Sequence, residues 1–71
     1  MLLSDSIIGR TYIILGTCDN ARFLEVGIVP MAVVTIMDKR KDGSLMLNVH
    51  GKGRWAIKSK ELSCVKVLER V

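Results

Sequence analysis

Cysteine is scarce in this sequence. The only two, Cys18 and Cys64, lie far apart and form no CxxC pair. Nothing about two cysteines at this spacing suggests a disulfide scaffold or a zinc knuckle. Two free thiols are typical of a reducing compartment. We therefore expect two packed, unpaired thiols and a cytoplasmic location.

Histidine is scarcer still, with His50 alone. Nucleophilic catalysis needs a nucleophile, a base and an orienting acid that converge in space. Cys18, His50 and Cys64 are scattered, and no spacing brings them together for catalysis or for a metal ion. No glycine-rich phosphate loop is present, since Gly51 and Gly53 flank a hairpin turn and do not open a helix. The sequence predicts no catalytic residues, no metal ligands and no cofactor, and hence no enzyme.

Long hydrophobic runs are also missing. The longest stretch without a charge, Val26 to Met37, is twelve residues long and contains Pro30, whereas a spanning helix needs about 20. The N-terminal "MLLSDSIIGR" has no basic region ahead of its apolar residues, unlike a secretion signal. We expect neither a membrane span nor a signal peptide.

Apolar residues are, by contrast, abundant. Ala, Val, Ile, Leu, Met, Phe, Trp, Cys and Gly account for 40 of the 71 residues, about 56% against a usual 45–50%. A small domain has proportionately more surface to cover with polar groups. The excess indicates either apolar side chains exposed for a partner or a dense β core.

Positive charge is concentrated in one half of the chain. The net charge is +4, yet residues 39–60 alone carry seven basic residues and a single acid, Asp42. The triplet Lys39, Arg40 and Lys41 marks a hairpin tip, where charges either blunt an edge strand or attract an acidic partner, anionic lipid or nucleic acid.

Five short strands are predicted from β-branched and alternating patterns. The Asp42-Gly43 pair is a strong hairpin signal between the second and third strands. In the third strand, Leu45, Leu47 and Val49 share one face, and in the fourth, Trp55 and Ile57 are predicted to point inward. The predicted strands are Thr11–Leu15, Val33–Met37, Ser44–His50, Arg54–Lys58 and a last one that starts at Cys64 or Val65.

One short helix, Ala21–Val26, is predicted between the first two strands. Asp19 or Asn20 can cap its start, Gly27 can end it in the left-handed conformation, and Pro30 prevents its continuation. Strands this short hide their edges most economically by closing into a small barrel. We therefore predict one all-β domain, residues 1–71, as a closed barrel whose open end is plugged by the helix.

The order of several short motifs resembles the ferrous iron transport protein A (FeoA) family. These motifs are an N-terminal "LSD…G" (Leu3, Ser4, Asp5, Gly9), the segment "RFLEVGIVP" at the helix, a "V-x-G" (Val49, Gly51), "RWAIK", and a final "VKV". The resemblance extends from about Leu3 to Val67. It implies an SH3-like five-stranded barrel with a short helix inserted between the first two strands.

The resemblance also implies a regulatory role in ferrous iron transport. Family members are associated with the ferrous iron permease, whose cytosolic part contains a GTP-binding domain, and are not enzymes. We expect this chain to bind that region through apolar residues near the helix and second strand, with the basic hairpin beside them. The candidate partner-binding residues are Phe23, Met31, Met37, Lys39, Arg40, Lys41 and Met46.

Two alternative functions, nucleic-acid binding and direct iron sensing, stay open, as does self-association of the chain. Small basic barrels bind nucleic acid with grooves and exposed aromatic rings, but Tyr12, Phe23 and Trp55 are predicted in the core, so this function is disfavoured. A regulator that senses iron directly is the other alternative. Met46, on the strand face opposite Leu47, is the methionine we expect to be most exposed.

Overall fold

Five antiparallel strands and one short helix form the protein in this computed structural model, which describes residues 1–70. Residue 71 of the predicted domain lies outside the described residues. The elements are β1 (Thr11–Gly16), α1 (Ala21–Val26), β2 (Val33–Lys39), β3 (Ser44–Val49), β4 (Gly53–Lys58) and β5 (Lys66–Arg70), with 3₁₀ turns at Leu3–Asp5 and Glu61–Cys64. The prediction of five strands with a helix between the first two is confirmed.

The strands form one sheet in the order β4-β3-β2-β1-β5. Register shifts in β1 at Ile14/Gly16 and in β2 at Ile36/Asp38 mark irregularities of the kind that bends a strand and increases its twist. Within residues 1–70 no ladder joins β4 to β5. The predicted closure of the barrel is therefore wrong: the sheet stays open between its two end strands.

The N-terminal segment occupies the place that a closing strand would take beside β5. Leu3 N donates to Val65 O at 2.8 Å, and Val67 N donates to Met1 O at 2.8 Å. Leu2 forms an isolated antiparallel bridge with Lys66. These bonds satisfy the backbone at the start of β5, so the edge of this strand is covered by the chain's own first residues.

The inward faces of the strands and the two 3₁₀ turns build the core. Tyr12 and Ile14 of β1 are fully buried, and the Tyr12 hydroxyl accepts a hydrogen bond from Ile7 N at 2.9 Å, which satisfies its polar end. The other buried apolar residues are Leu3, Phe23, Ile28, Val34, Ile36, Leu45, Leu47, Val49, Ile57, Leu62, Val65 and Val67.

Helix α1 contributes Phe23 to the core, and Val26 packs against that core. Asn20 Oδ1 accepts from Arg22 N at 3.0 Å, which identifies Asn20 as the N-cap. Gly27 ends the helix at φ 84°, and Ile28 N donates back to Phe23 O at 2.8 Å. Phe23 thereby points into the core, and Leu24, on the other side of the helix, is exposed.

Trp55 differs from its prediction. It lies opposite Leu47 in the β3–β4 ladder, so its side chain leaves the sheet on the same face as that buried leucine. No further strand among residues 1–70 lies beyond β4, however, and 38% of Trp55 is exposed. Ile57, two residues on, is buried as predicted.

The prediction of two free thiols is wrong. Cys18 and Cys64 form a disulfide, with their Cα atoms 5.5 Å apart and a sequence separation of 46. Pairing of β1 with β5 brings together the loop after β1 and the 3₁₀ turn before β5. This proximity depends on the fold and leaves no mark in the sequence spacing. Disulfides are typical of oxidising compartments, so the bond removes the sequence argument for a cytoplasmic location.

Candidate partner-binding surface

Six of the seven predicted partner-binding residues reach the surface, and Phe23 does not. The Phe23 side chain is 3% exposed and belongs to the core, because α1 turns this residue toward the sheet. A partner cannot pack on it in this conformation, so its predicted contact with a partner is corrected to a core role.

Of the three methionines among the candidate residues, Met31 and Met37 are exposed, with 76% and 41% of their surface accessible. Met46 is half-buried, because β3 lies inside the sheet with β2 and β4 on either side. The expectation that Met46 would be the most exposed methionine is therefore wrong. Met31 is the most accessible of these three.

Met31 is held outward by a strained turn. Its φ of 74° is the single positive value of a non-glycine residue among the described residues, a conformation that costs roughly 1–3 kcal/mol and that surrounding bonds must enforce. Met31 N donates to Ile14 O at 2.7 Å, and Ala32 N donates to Val29 O at 3.0 Å. Strain of this kind is concentrated at binding sites.

The basic hairpin tip is ordered by Asp42. Its Oδ1 accepts from Ser44 N at 2.9 Å and from the Ser44 hydroxyl at 2.7 Å. The Ser44 hydroxyl, then the Ser44 amide, and to a smaller extent the charges of Lys58 and Arg40 lower the pKa of Asp42 below its usual 3.8. The carboxylate therefore stays ionised and fixes the turn that presents Lys39, Arg40 and Lys41.

Within the described residues, the basic side chains of positions 39–60 form no ion pair. In the described part of the chain, residues 1–70, the ion pairs are Arg10–Glu69 at 2.8 Å and Arg22–Glu61 at 2.9 Å. Neither pair involves a cation from residues 39–60. The local positive charge predicted from the sequence is thus available to an acidic partner.

Several exposed apolar side chains were missed by the sequence reasoning. Leu15 and Leu68 are exposed on β1 and β5, and Ile7, Ile8 and Leu24 are exposed outside the sheet. Strict alternation along β1 would have found Leu15, because Tyr12 and Ile14 point inward. The apolar residues that exceed the usual share therefore lie both in a dense core and on the surface.

The residues considered for chemistry do not assemble into a reactive site. Both cysteines are joined in the disulfide, and His50 Nε2 lies 2.9 Å from Thr35 Oγ1. Over residues 1–70 there is no group of three or more His, Cys, Asp or Glu side chains arranged to hold a metal ion. A surface cleft of about 310 Å³ beside the disulfide is lined by Thr17, Cys18, Asp19, Asn20, Phe23, Leu24, Ile28, Val29 and Pro30.

No helix in residues 1–70 has the length and apolar character needed to cross a membrane.

No protein-family model and no curated protein matches the sequence. The fold, however, is similar to two solved structures. One is described as an iron uptake regulatory protein (FeoA), with a TM-score of 0.85 at 20% identity over 99% of this chain and 96% of that one. The other is the zinc complex of FeoA from Stenotrophomonas maltophilia, described as an SH3 domain protein suggested to activate bacterial ferrous iron transport.

The second similarity has a TM-score of 0.77 at 25% identity, over 96% of this chain and 89% of that one. Neither description assigns an enzymatic activity to its protein. Both of these solved structures are FeoA proteins, and the similarity to each extends over nearly the whole chain. The chain therefore has the SH3-like fold of the FeoA structures.

Proposed function

We propose that this protein is a non-catalytic accessory factor of ferrous iron transport. It acts in the cytoplasm by binding the cytosolic region of a ferrous iron permease that contains a GTP-binding domain. The observation that carries the proposal is the fold, which matches the iron uptake regulatory protein at a TM-score of 0.85 over 99% of the chain. The ordered sequence motifs that resemble the same family support it independently.

The surface offered to the permease comprises exposed apolar residues and the basic hairpin. Met31 precedes β2 and Met37 lies within it, and flexible thioethers adapt well to a partner. Lys39, Arg40 and Lys41, at the end of β2 and just after it, are exposed. Apolar burial supplies most of the affinity in such an interface, and the charges steer association and orientation.

Affinity capture in mild detergent tests the proposal. The tagged protein is expressed in its native host, and the permease is sought in the captured material. A variant with Lys39→Glu and Lys41→Glu reduces capture, whereas the matched double reversal Lys66→Glu and Arg70→Glu on β5 leaves it unchanged. Absence of the permease from the wild-type capture contradicts the proposal.

Salt dependence separates this function from nucleic-acid binding. Capture that rests on apolar contact survives moderate salt. A module for DNA or RNA instead loses affinity steeply, linearly in log–log with salt concentration, and competing nucleic acid displaces its partner. Trp55, exposed beside basic residues, makes this comparison worthwhile, because exposed rings stack on bases.

Direct iron sensing is tested by an anaerobic titration. Ferrous iron is added to the purified protein while Trp55 fluorescence is followed. The accessory role requires no change at stoichiometric metal. A saturable change at one metal per chain would instead favour a metal-sensing regulator.

The cytoplasmic location needs its own test, because the structure contains a disulfide. Alkylation of thiols in living host cells, followed by mass spectrometry, measures the redox state of Cys18 and Cys64 in place. A cytoplasmic protein yields mostly alkylated, reduced cysteines, because the cytosolic thiol systems keep disulfides open. A fully oxidised pair contradicts the assignment.

A further inference from the structure

Strand β4 leaves one backbone edge of the sheet unpaired. It pairs with β3 in continuous register from Ser44↔Lys58 to Val49↔Gly53, and it is the terminal strand of the sheet. Along an antiparallel strand, the backbone groups of successive residues face opposite neighbours. The direction of one residue therefore fixes the directions of the rest.

Hydrogen bonds at the end of β3 fix these directions. His50 N donates to Val33 O at 2.9 Å, so the backbone of His50 faces β2. Val49 and Leu47 consequently face β4. Opposite them, the backbones of Gly53, Trp55 and Ile57 face β3, and those of Arg54, Ala56 and Lys58 face away from the sheet.

No backbone hydrogen bond from within residues 1–70 reaches this outer side at Arg54 or Ala56. The strand is exposed except at Ile57. Both ends of the sheet could accept a further strand, but the start of β5 already pairs with the N-terminal segment. The edge of β4 is the free one.

The side chains along this edge select its occupant. Residues 52–60 carry four cations, Lys52, Arg54, Lys58 and Lys60, and no acid. Arg54 and Lys58 lie on the outer face, four residues apart, with Ala56 between them. Trp55 and Ile57 lie on the opposite face, where the exposed part of Trp55 would be covered by a neighbouring strand.

A second copy of the chain does not fit this edge. In an antiparallel pair of β4 strands with its two-fold axis at Ala56, Arg54 of each copy lies opposite Lys58 of the other. Like charges directly opposite each other destabilise strand pairing. The basic residues therefore disfavour pairing of β4 with the β4 strand of a second copy. The same positive charges attract an acidic strand.

We propose that the β4 edge binds an extended acidic segment of a partner protein by strand addition. The segment carries acidic residues four positions apart, opposite Arg54 and Lys58, and apolar residues that alternate with them and pack on Trp55. Main-chain hydrogen bonds supply affinity and the alternating side chains supply specificity. The inference deepens the proposed function, because it names a second contact surface, but it can be tested without the permease.

A nucleic acid fits the edge less well. It would use the cations and the ring of Trp55, but Trp55 is the single aromatic side chain exposed in residues 1–70, since Tyr12 and Phe23 are buried. Stacking proteins use several rings. A nucleic-acid strand would also leave the unpaired backbone groups of Arg54 and Ala56 without the ladder that a peptide provides.

The test uses a synthetic peptide, acetyl-Gly-Glu-Val-Thr-Val-Glu-Gly-amide, titrated into the isotope-labelled protein. The expected result is saturable shifts of the Arg54, Ala56 and Lys58 amide signals and slower hydrogen exchange of these amides. A peptide with Lys in place of both Glu, and one N-methylated at its Thr and second Glu, are expected to bind at least about tenfold more weakly. Absence of shifts at millimolar peptide overturns the proposal, as does equal binding of the N-methylated peptide.

Protein variants complete the test. Ala56→Pro removes an N–H that faces away from the sheet, a position where an edge strand tolerates proline. It is expected to weaken the peptide about tenfold, and Ala56→Val, which keeps the N–H, retains binding. Arg54→Glu with Lys58→Glu is expected to reverse the preference to the lysine peptide. Circular dichroism confirms folding of each variant, and binding of a single-stranded oligonucleotide in preference to the acidic peptide overturns the proposal.

Outcomes for the two proposals are distinguishable. If the acidic peptide binds but the permease is not captured, the accessory role fails and the β4 site stands. If the permease is captured equally by wild type and by Ala56→Pro, and the peptide shows no shifts, the β4 site fails and the accessory role stands.

Discussion

Leu47 and Trp55 lie directly opposite each other in the β3–β4 ladder, yet Leu47 is fully buried and Trp55 is 38% exposed. The two side chains leave the sheet on the same face. Their difference in burial comes from position in the sheet, because β3 has a strand on both sides and β4 on one. Substitutions of these two residues can therefore compare the energetic contribution of a core side chain with that of a side chain at the edge of the sheet.

Truncation of each member of this pair has different consequences. Leu47→Ala opens a cavity in the core and is expected to lower the free energy of unfolding by about 2–5 kcal/mol. Trp55→Ala removes a partly solvated ring at the edge and is expected to cost about 1 kcal/mol. Urea unfolding followed by circular dichroism measures both, since the fluorescence signal is lost with Trp55. Equal costs would show that the edge of β4 is part of the core.

The disulfide is expected to stabilise the fold by about 2–4 kcal/mol. The Cys18–Cys64 bond closes a loop with a sequence separation of 46, and cross-links of this span restrict the unfolded chain strongly. Thermal unfolding with and without dithiothreitol measures the effect. The double variant Cys18→Ser, Cys64→Ser provides the control, because its melting temperature should be low and independent of the reductant. A wild-type melting temperature that the reductant leaves unchanged would contradict the expected contribution.

Gly27 is expected to resist substitution more strongly than Gly9. Both adopt a positive φ, 84° and 86°, but a Cβ at Gly27 would lie 2.7 Å from Lys52 Cγ and 3.3 Å from Val49 Cγ1, whereas a Cβ at Gly9 meets nothing within 4 Å. Gly9→Ala therefore measures backbone strain alone, about 1–2 kcal/mol, and Gly27→Ala adds overpacking of roughly 1–3 kcal/mol. Chemical denaturation of both variants gives the difference.

A second substitution identifies the origin of this difference. Lys52→Ala removes the Cγ atom that collides with the new methyl group, so it should recover part of the loss in the Gly27→Ala background. If the double variant is no more stable than Gly27→Ala, the lysine stem is not the obstacle.

Asp42 is expected to make the hairpin sensitive to acid. The hydrogen bonds from Ser44 lower its pKa in the folded protein below the usual 3.8, so the unfolded chain takes up the proton first. The stabilising contribution of Asp42 is complete above about pH 3.8 and is lost as the pH falls through the lower, folded-state pKa. Asp42→Asn keeps an acceptor for Ser44 N but cannot titrate.

Denaturation midpoints between pH 6 and pH 2 measure this dependence. The wild type should lose more stability than Asp42→Asn below about pH 3.8, and the side-chain carboxyl signal of Asp42 should titrate below that value. Identical acid profiles of the two proteins would contradict the assignment.

Local signals in the sequence were sufficient to predict the helix and the strands. The helix Ala21–Val26 begins after its cap Asn20 and ends at Gly27, and the reversal at Asp42-Gly43 fixes the register of β2 and β3. These features depend on residues within a few positions of each other. Sequence reasoning therefore predicted the strands, the helix and the exposed basic tip.

Features that depend on distant pairing could not be predicted in this way. The strand pattern of Trp55 indicated an inward side chain, but its exposure follows from the terminal place of β4 in the sheet. The Cys18–Cys64 bond follows from the pairing of β1 with β5. Phe23 was assigned both to the core and to a partner surface, and only the placement of α1 against the sheet decides for the core.

The first residues of the chain have a consequence for assembly in concentrated solution. Filament growth by strand pairing between molecules requires two unpaired strand edges on every molecule. Met1–Leu3 already occupy the start of β5, so the β4 edge of one molecule finds no free start of β5 on the next molecule, and end-to-end growth is blocked. Deleting Met1 and Leu2, which leaves the buried Leu3 in place, should uncover the start of β5 and promote filament formation, which thioflavin fluorescence and light scattering would reveal.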